Sequence, residues 1–179
     1  MEKKEPFRIM LDLETLGVTP GCGILAIGAT SLDFKHRFYD KISPQSNKSY
    51  RLFTDPSTLE WWNKQSDEAR NESFSGYLDL AAVLQTFNIW LSELPLEGRK
   101  LEVWGNGADF DLPILRVAYK ETKIKDEIPP FAARCYRTIK EMFPEIEKPK
   151  FVGAKHTAIA DARNQAEHLL LLLEKLRNR

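Results

Sequence analysis

Phe7-Arg8-Ile9-Met10-Leu11-Asp12-Leu13-Glu14 decides how the rest of the chain is read. The run is short, apolar and closed by a glycine and proline cluster at residues 17–23, which is the pattern of a buried strand. Side chains alternate along a strand, so Asp12 and Glu14 share one face while Leu11 and Leu13 share the other. Two carboxylates about 7 Å apart on one face of a buried strand repel each other. A cation between them removes that penalty, and an all-oxygen donor set selects magnesium or manganese over zinc. A strand end that runs into solvent is the commoner explanation of a lone D-x-E, so the motif needs company.

Working outward, residues 24–32 and 34–42 are two further strand-length stretches joined by a short turn, which predicts an antiparallel meander. The period then changes. Asp55-Pro56-Ser57 is a helix start, followed by Leu59, Trp61 and Trp62. Residues 78–91 carry Leu80, Val83, Leu84, Phe87 and Leu91 on one helical stripe, ended by Pro95 and Gly98. Residues 101–104 form a short strand before Gly105-Asn106-Gly107. A helix is expected over 109–119, a loop over 120–130, and either a strand or a helix over 132–142. Residues 157–176 form the clearest helix. The order predicts an α/β fold: a mixed sheet, antiparallel first and then parallel, with helices on both faces.

The 179 residues (20.6 kDa) are one domain's length, so 1–179 is read as a single domain. Lysine and arginine total 26 and so do aspartate and glutamate. Zero net charge excludes a histone-like binder of polyanions but permits a local basic groove. Residues 112–155 hold ten basic against six acidic side chains, a local excess of +4. Cys22 and Cys135 are too few for a disulfide scaffold. The charged residues 1–6 lack the apolar core of a secretion signal, and the longest aliphatic run, 169–173, is far short of a membrane span. These readings predict a cytoplasmic protein with no membrane partner.

Two more signals accompany Asp12 and Glu14. Gly105-Asn106-Gly107-Ala108-Asp109-Phe110-Asp111 lies where a strand gives way to a helix, the edge of an α/β sheet where ligands gather. Spacing alone leaves open which of Asp109 and Asp111 caps the helix and which is a ligand. His156 and Asp161 open the last helix, among small residues that allow close packing. Histidine's ordinary pKa near neutrality suits a general base beside a metal-binding carboxylate.

In combination, D-x-E, then F-D after a strand and loop, then H-x4-D on the last helix resemble the DnaQ-like 3′–5′ exonucleases of the DEDDh group, which have an RNase H-like fold. Asp12-Leu13-Glu14-Thr15-Leu16-Gly17, the 104–111 segment and Trp61-Trp62 with Gln65 look like the phage exonuclease A and bacterial exoribonuclease subgroup. The resemblance implies catalytic roles for Asp12, Glu14, Asp111, His156 and Asp161. It implies that the four acids hold two Mg2+ or Mn2+ ions, and that His156 takes the proton of the attacking water. Asp111 is selected because it follows Phe110, and Asp109 is left as a cap or supporting residue. Thr15 and Leu16 are expected to meet the terminal nucleotide, with Leu16 as a wedge against the last base. Phe110 is read as a stacking or a core aromatic, Asn106 as a phosphate ligand or a turn residue, and Trp62 as part of the groove. The implied partner is the 3′ end of single-stranded RNA or DNA, RNA slightly favoured. The group includes homodimers, which the resemblance therefore admits here.

Two other classes compete. A haloacid-dehalogenase-type phosphatase also begins at a strand-end aspartate, but its second acid would be Asp where this chain has Glu14, and its late Gly-Asp pair is missing. A nucleic-acid binding module with a decayed site would not keep every catalytic position filled. A P-loop is excluded, because no G-K-S/T follows the glycines at 17–23.

Overall fold

The computed structural model describes residues 4–153 and 155–178. Its sheet has five strands in the order β3-β2-β1-β4-β5. β1 (Phe7–Thr15), β2 (Ile24–Ser31) and β3 (Arg37–Lys41) form the expected antiparallel meander. β4 (Leu101–Gly105) and β5 (Ala133–Cys135) add in parallel on the other side of β1. β1 is therefore central and bonded on both edges.

The alternation read from β1 becomes the division of the core. Ile9, Leu11 and Leu13 face one layer, with α4 (Leu80–Ser92) and α5 (Asp111–Thr122) packed over them. The α4 stripe of Leu80, Val83, Leu84, Phe87 and Leu91 is buried there as its period predicts. Each such apolar side chain contributes about 1.5–3 kcal/mol on leaving water. Met10 faces the opposite layer, with Trp104, α6 (Tyr136–Met142) and α7 (Ala158–Arg177). Asp12 and Glu14 continue that second face beyond the point where the apolar layer stops.

α7 lies against the sheet because its contact residues are small. Ala158, Ala162 and Ala166 are fully buried. A Cβ placed on Gly28 of β2 would sit 2.3 Å from the Ala158 carbonyl carbon. Gly28 thus sets how near the start of α7, and with it Asp161, comes to β1. His168 in the same helix is buried; its Nε2–H donates to the Ile146 carbonyl at 2.9 Å, leaving Nδ1 to accept from the Tyr136 hydroxyl at 2.7 Å. A carbonyl only accepts, so Nε2 carries a proton, and burial lowers the pKa of the ring and favours its neutral form.

The remaining helices are local. α1 (Pro44–Ser49) is clamped to β2 by Asn47, whose side chain accepts from Ile24 N–H at 2.8 Å and donates to its carbonyl at 2.9 Å. α2 (Pro56–Asn63) starts at Asp55, as expected, whose carboxylate caps Ser57 N–H. α3 (Asp67–Phe74) is capped by Ser66.

The structure corrects several local expectations. α1 and α3 are too short and polar to show an apolar period, and they were not anticipated. α5 begins at Asp111 and not at 109, and it runs on to Thr122 before Lys123 ends it in the left-handed region. Asp109 is exposed and caps nothing, since the residue preceding α5 is Phe110. The segment 132–142 is both a strand and a helix, β5 passing directly into α6. Cys22 is buried, and desolvation pushes its thiol up to about 11, which leaves it unreactive. No helix among the described residues is long and apolar enough to cross a membrane.

Candidate active site

The carboxyl ends of β1 and β4 and the amino end of α7 meet at one side of the sheet. Ligand oxygens of Asp12, Glu14 and Asp161 all lie within 4.8 Å of one another. They line a cleft of about 590 Å3 with Thr15, Asn106, Phe110 and His156. The structure therefore brings together residues that are 149 positions apart at the extremes of the set.

Asp111 is held differently from the other three acids. It opens α5, and its carboxylate accepts from Leu13 N–H at 3.2 Å and from Asn106 N–H at 2.8 Å. A Cβ on Gly105 would sit 2.8 Å from its Oδ2, so the glycine makes room for the carboxylate. Asp111 thus ties β4 to β1 while standing beside the cluster.

Burial and mutual repulsion raise the acids together. Asp12 lies well above the usual carboxylate range, first through burial and then through the charges of Asp111, Glu14 and Asp161. Glu14 is pushed up to about 8 by burial and by Asp161 and Asp111. Burial raises Asp111 to about 6, with the amides of Asn106 and Leu13 and the Arg137 charge pulling back. Burial also raises Asp161, against the charge and backbone amide of His156 and the amide of Thr157. Four acids side by side resist ionisation because ionising together would leave buried negative charge uncompensated. A hard divalent cation fits that all-oxygen set.

His156 sits in the loop before α7 with φ of 59°, a left-handed conformation that histidine adopts more readily than most residues. Its carbonyl accepts from Ser73 Oγ at 3.2 Å, and its ring meets the Trp61 ring edge-on with centroids 5.0 Å apart. The aromatic pair is assigned by this contact. Trp62 is buried, with its Nε1–H on the Thr15 carbonyl at 2.9 Å, while Trp61 is 43% exposed. Both line the cleft, Trp62 as a buried part of its wall and Trp61 as an exposed one.

Leu16 is also corrected. It is 3% exposed and packs with Leu25 and Trp62, away from the cleft wall. The strand register shifts between Glu14 and Thr15, with Leu25 of β2 as the extra residue, so the ladder is irregular where Leu16 leaves β1. Val18, 61% exposed, is the apolar side chain at the rim. Phe110 lines the cleft and also packs on the first core layer.

Sequence reasoning missed Gln165. Its Nε2 donates to Asp12 Oδ1 at 2.7 Å, fixing that carboxylate from the side of α7. The signal was available: Gln165 follows Asp161 by four residues and so shares its helix face. Ser57 and Thr58, which open α2 on the opposite wall, were missed as well.

Comparison with known proteins agrees with this geometry. Residues 7–173 match the family model of the 3′–5′ exoribonuclease Rv2179c-like domain. An exodeoxyribonuclease of Enterobacteria phage T4 is 28% identical over 123 residues, 61% of this chain and 54% of the phage protein, so the chain spans about half the length of that relative. The nuclease domain of 3′hExo, a DEDDh family member solved with rAMP, aligns with a TM-score of 0.62 at 14% identity, covering 98% of this chain and 95% of that one. Cell-death related nuclease 4 (CRN-4) aligns at 0.59 with 15% identity over 94% of this chain and 64% of its own. At such identities the two structures establish the fold, which is RNase H-like. The family match runs from the first residue of β1 into the last helix, and the chain belongs to the Rv2179c-like 3′–5′ exoribonuclease domain family, among the DnaQ-like exonucleases.

Proposed function

We propose that this protein removes nucleotides from the 3′ end of single-stranded nucleic acid, RNA in preference to DNA, by two-metal hydrolysis. The observation that carries the reading is the convergence of Asp12, Glu14 and Asp161 oxygens within 4.8 Å beside a histidine. Asp12, Glu14 and Asp161 are the direct holders of Mg2+ or Mn2+, and Asp111, already bonded to two amides, contributes through its charge or an intervening water. Bound divalent cations supply water activation and neutralise charge on the leaving oxygen. Gln165 keeps Asp12 in the orientation that faces Glu14 and Asp161. His156 receives a proton on its imidazole nitrogen from the attacking water, and its loop position lets the ring adjust as substrate enters. Thr15, Val18, Trp61 and Phe110 receive the terminal nucleoside, the aromatic rings stacking without regard to base identity. Asn106 stands where the strand turns out of the cleft.

The test is an electrophoretic assay with 5′-labelled RNA and DNA of one sequence, with Mg2+ or Mn2+, against chelator and an Asp12→Ala control. A ladder shortening from the 3′ end, faster on RNA and lost in both controls, is the expected result. Intact strands under both metals overturn the proposal, and faster loss of DNA overturns its substrate preference.

A further inference from the structure

A second cavity, of about 320 Å3, adjoins the cleft and shares Asn106, Asp161 and Gln165 with it. The two differ in chemistry. Among the described residues, the cleft wall carries aromatic, hydroxyl and carboxylate groups and neither lysine nor arginine. The second cavity is walled by Lys148 and Lys155, with Phe151 and Asn164 between them. Arg137 stands at the same side, its Nη2 donating to the Asn106 carbonyl at 2.7 Å.

Among the described residues, carboxylates do not neutralise these cations. Arg116, Lys125, Arg134 and Lys140 of the basic segment are paired with Asp126, Glu127, Glu102 and Glu141. Among the described residues, Arg137, Lys148 and Lys155 form no ion pair with a carboxylate. The charge of Lys148 reaches Asp161 and that of Arg137 reaches Asp111, so both lie close to the acids. On the shared wall, Gln165 is 9% exposed, and its Oε1 and Asn106 Oδ1 are buried polar atoms with no partner among the described residues.

A strand cut near its end has its terminal nucleoside on one side of the scissile phosphate and the rest of its chain on the other. Bases stack on aromatic rings, and phosphates are drawn to cations. We propose that the Lys148–Lys155 cavity is a phosphate track: it holds the phosphodiester backbone on the 5′ side of the bond to be cut, and so sets which way the strand lies across the acids. The assignment rests on the nuclease reading of the adjoining cleft.

The experiment compares the wild type, the Lys148→Ala/Lys155→Ala double variant, and Lys150→Ala, a loss of charge outside the cavity wall. Substrates are a labelled single-stranded octamer and the p-nitrophenyl ester of a nucleoside 5′-monophosphate, which fills the cleft and has no upstream phosphate. For the octamer the double variant raises KM roughly tenfold with kcat held within about twofold. It also lowers the slope of log KM against log salt by about 1.4, two contacts at about 0.7 each. Hydrolysis of the ester is unchanged, and Lys150→Ala behaves as wild type. Fluorescence anisotropy of the octamer with Ca2+ gives a readout independent of cleavage, and affinity falls by the same factor. Unchanged KM, slope and affinity in the double variant overturn the track. Equal loss on octamer and ester also overturns it, because the lysines then act on the acids. If the wild type cleaves neither substrate yet the double variant loses octamer affinity, the hydrolytic reading falls and with it the track's place beside a scissile bond, while the lysines remain a phosphate-binding wall.

Discussion

Asp12, Glu14 and Asp111 stand on one kind of support and His156 on another. β1 is bonded to β2 on one edge and β4 on the other, and Asp111 joins β1 to β4 through two backbone amides. These carboxylates have little freedom to move apart although their charges repel. His156 lies in a loop, in a left-handed conformation, held by Ser73 and an aromatic edge. A rigid frame suits charged groups that must converge on a cation despite repulsion. A looser support suits a group whose task is to receive a proton from a water that enters with substrate. On the proposed mechanism, the contrast teaches that the binding of metal and the transfer of the proton rest on separable supports.

The largest effect that tests this separation is His156→Ala. It lowers kcat by about 10²–10⁴-fold, while Mn2+ binding, followed by electron paramagnetic resonance, stays as in the wild type. Equal damage to Mn2+ binding would show that the loop is part of the frame.

Gln165→Leu strikes the frame without touching the loop. Removing the donor to Asp12 weakens Mn2+ binding about 10–100-fold, the usual penalty for losing a group that orients a metal ligand. Excess Mn2+ restores much of the rate, which it does not do for His156→Ala. A variant with lowered kcat and unaltered Mn2+ titration would remove Gln165 from the frame.

The smallest effect is on stability with pH. Unfolded carboxylates lose their protons near pH 4, whereas Glu14 keeps its proton to about 8 and Asp111 to about 6 when folded without metal. Between those values the folded state binds more protons than the unfolded state, so stability falls as pH rises. Tm in chelator therefore declines from about pH 5 to about pH 8, and saturating Mg2+ flattens the decline. A Tm in chelator that rises over this range would mean the acids are not strained together.

Much of this molecule is legible one residue at a time. The D-x-E alternation on β1, the α4 stripe and the last helix are local periods, and they place Asp12 and Glu14 on one face and Asp161 at a helix start before any packing is known. Leu16 lies just past the last paired residue of β1, and its packing on Leu25 and Trp62 is a tertiary contact that no local pattern displays. Which of Trp61 and Trp62 is buried stays open in the sequence because adjacent residues on a helix point about 100° apart, and only the position of α2 says which direction is inward. α1 and α3 escape notice because six or eight polar residues carry no period.

The sequence by itself brought forward the candidates: the D-x-E alternation put two repelling carboxylates on one face, and the resemblance its motifs carry named the other acids and the histidine. Tertiary structure alone decided how they are held. Gln165 meets Asp12 across 153 residues, Gly28 admits the start of α7 to the sheet, and Lys148 and Lys155 come to border a cavity that shares Asp161. Such contacts join elements distant along the chain, and they depend on distances of closest approach that no local pattern encodes.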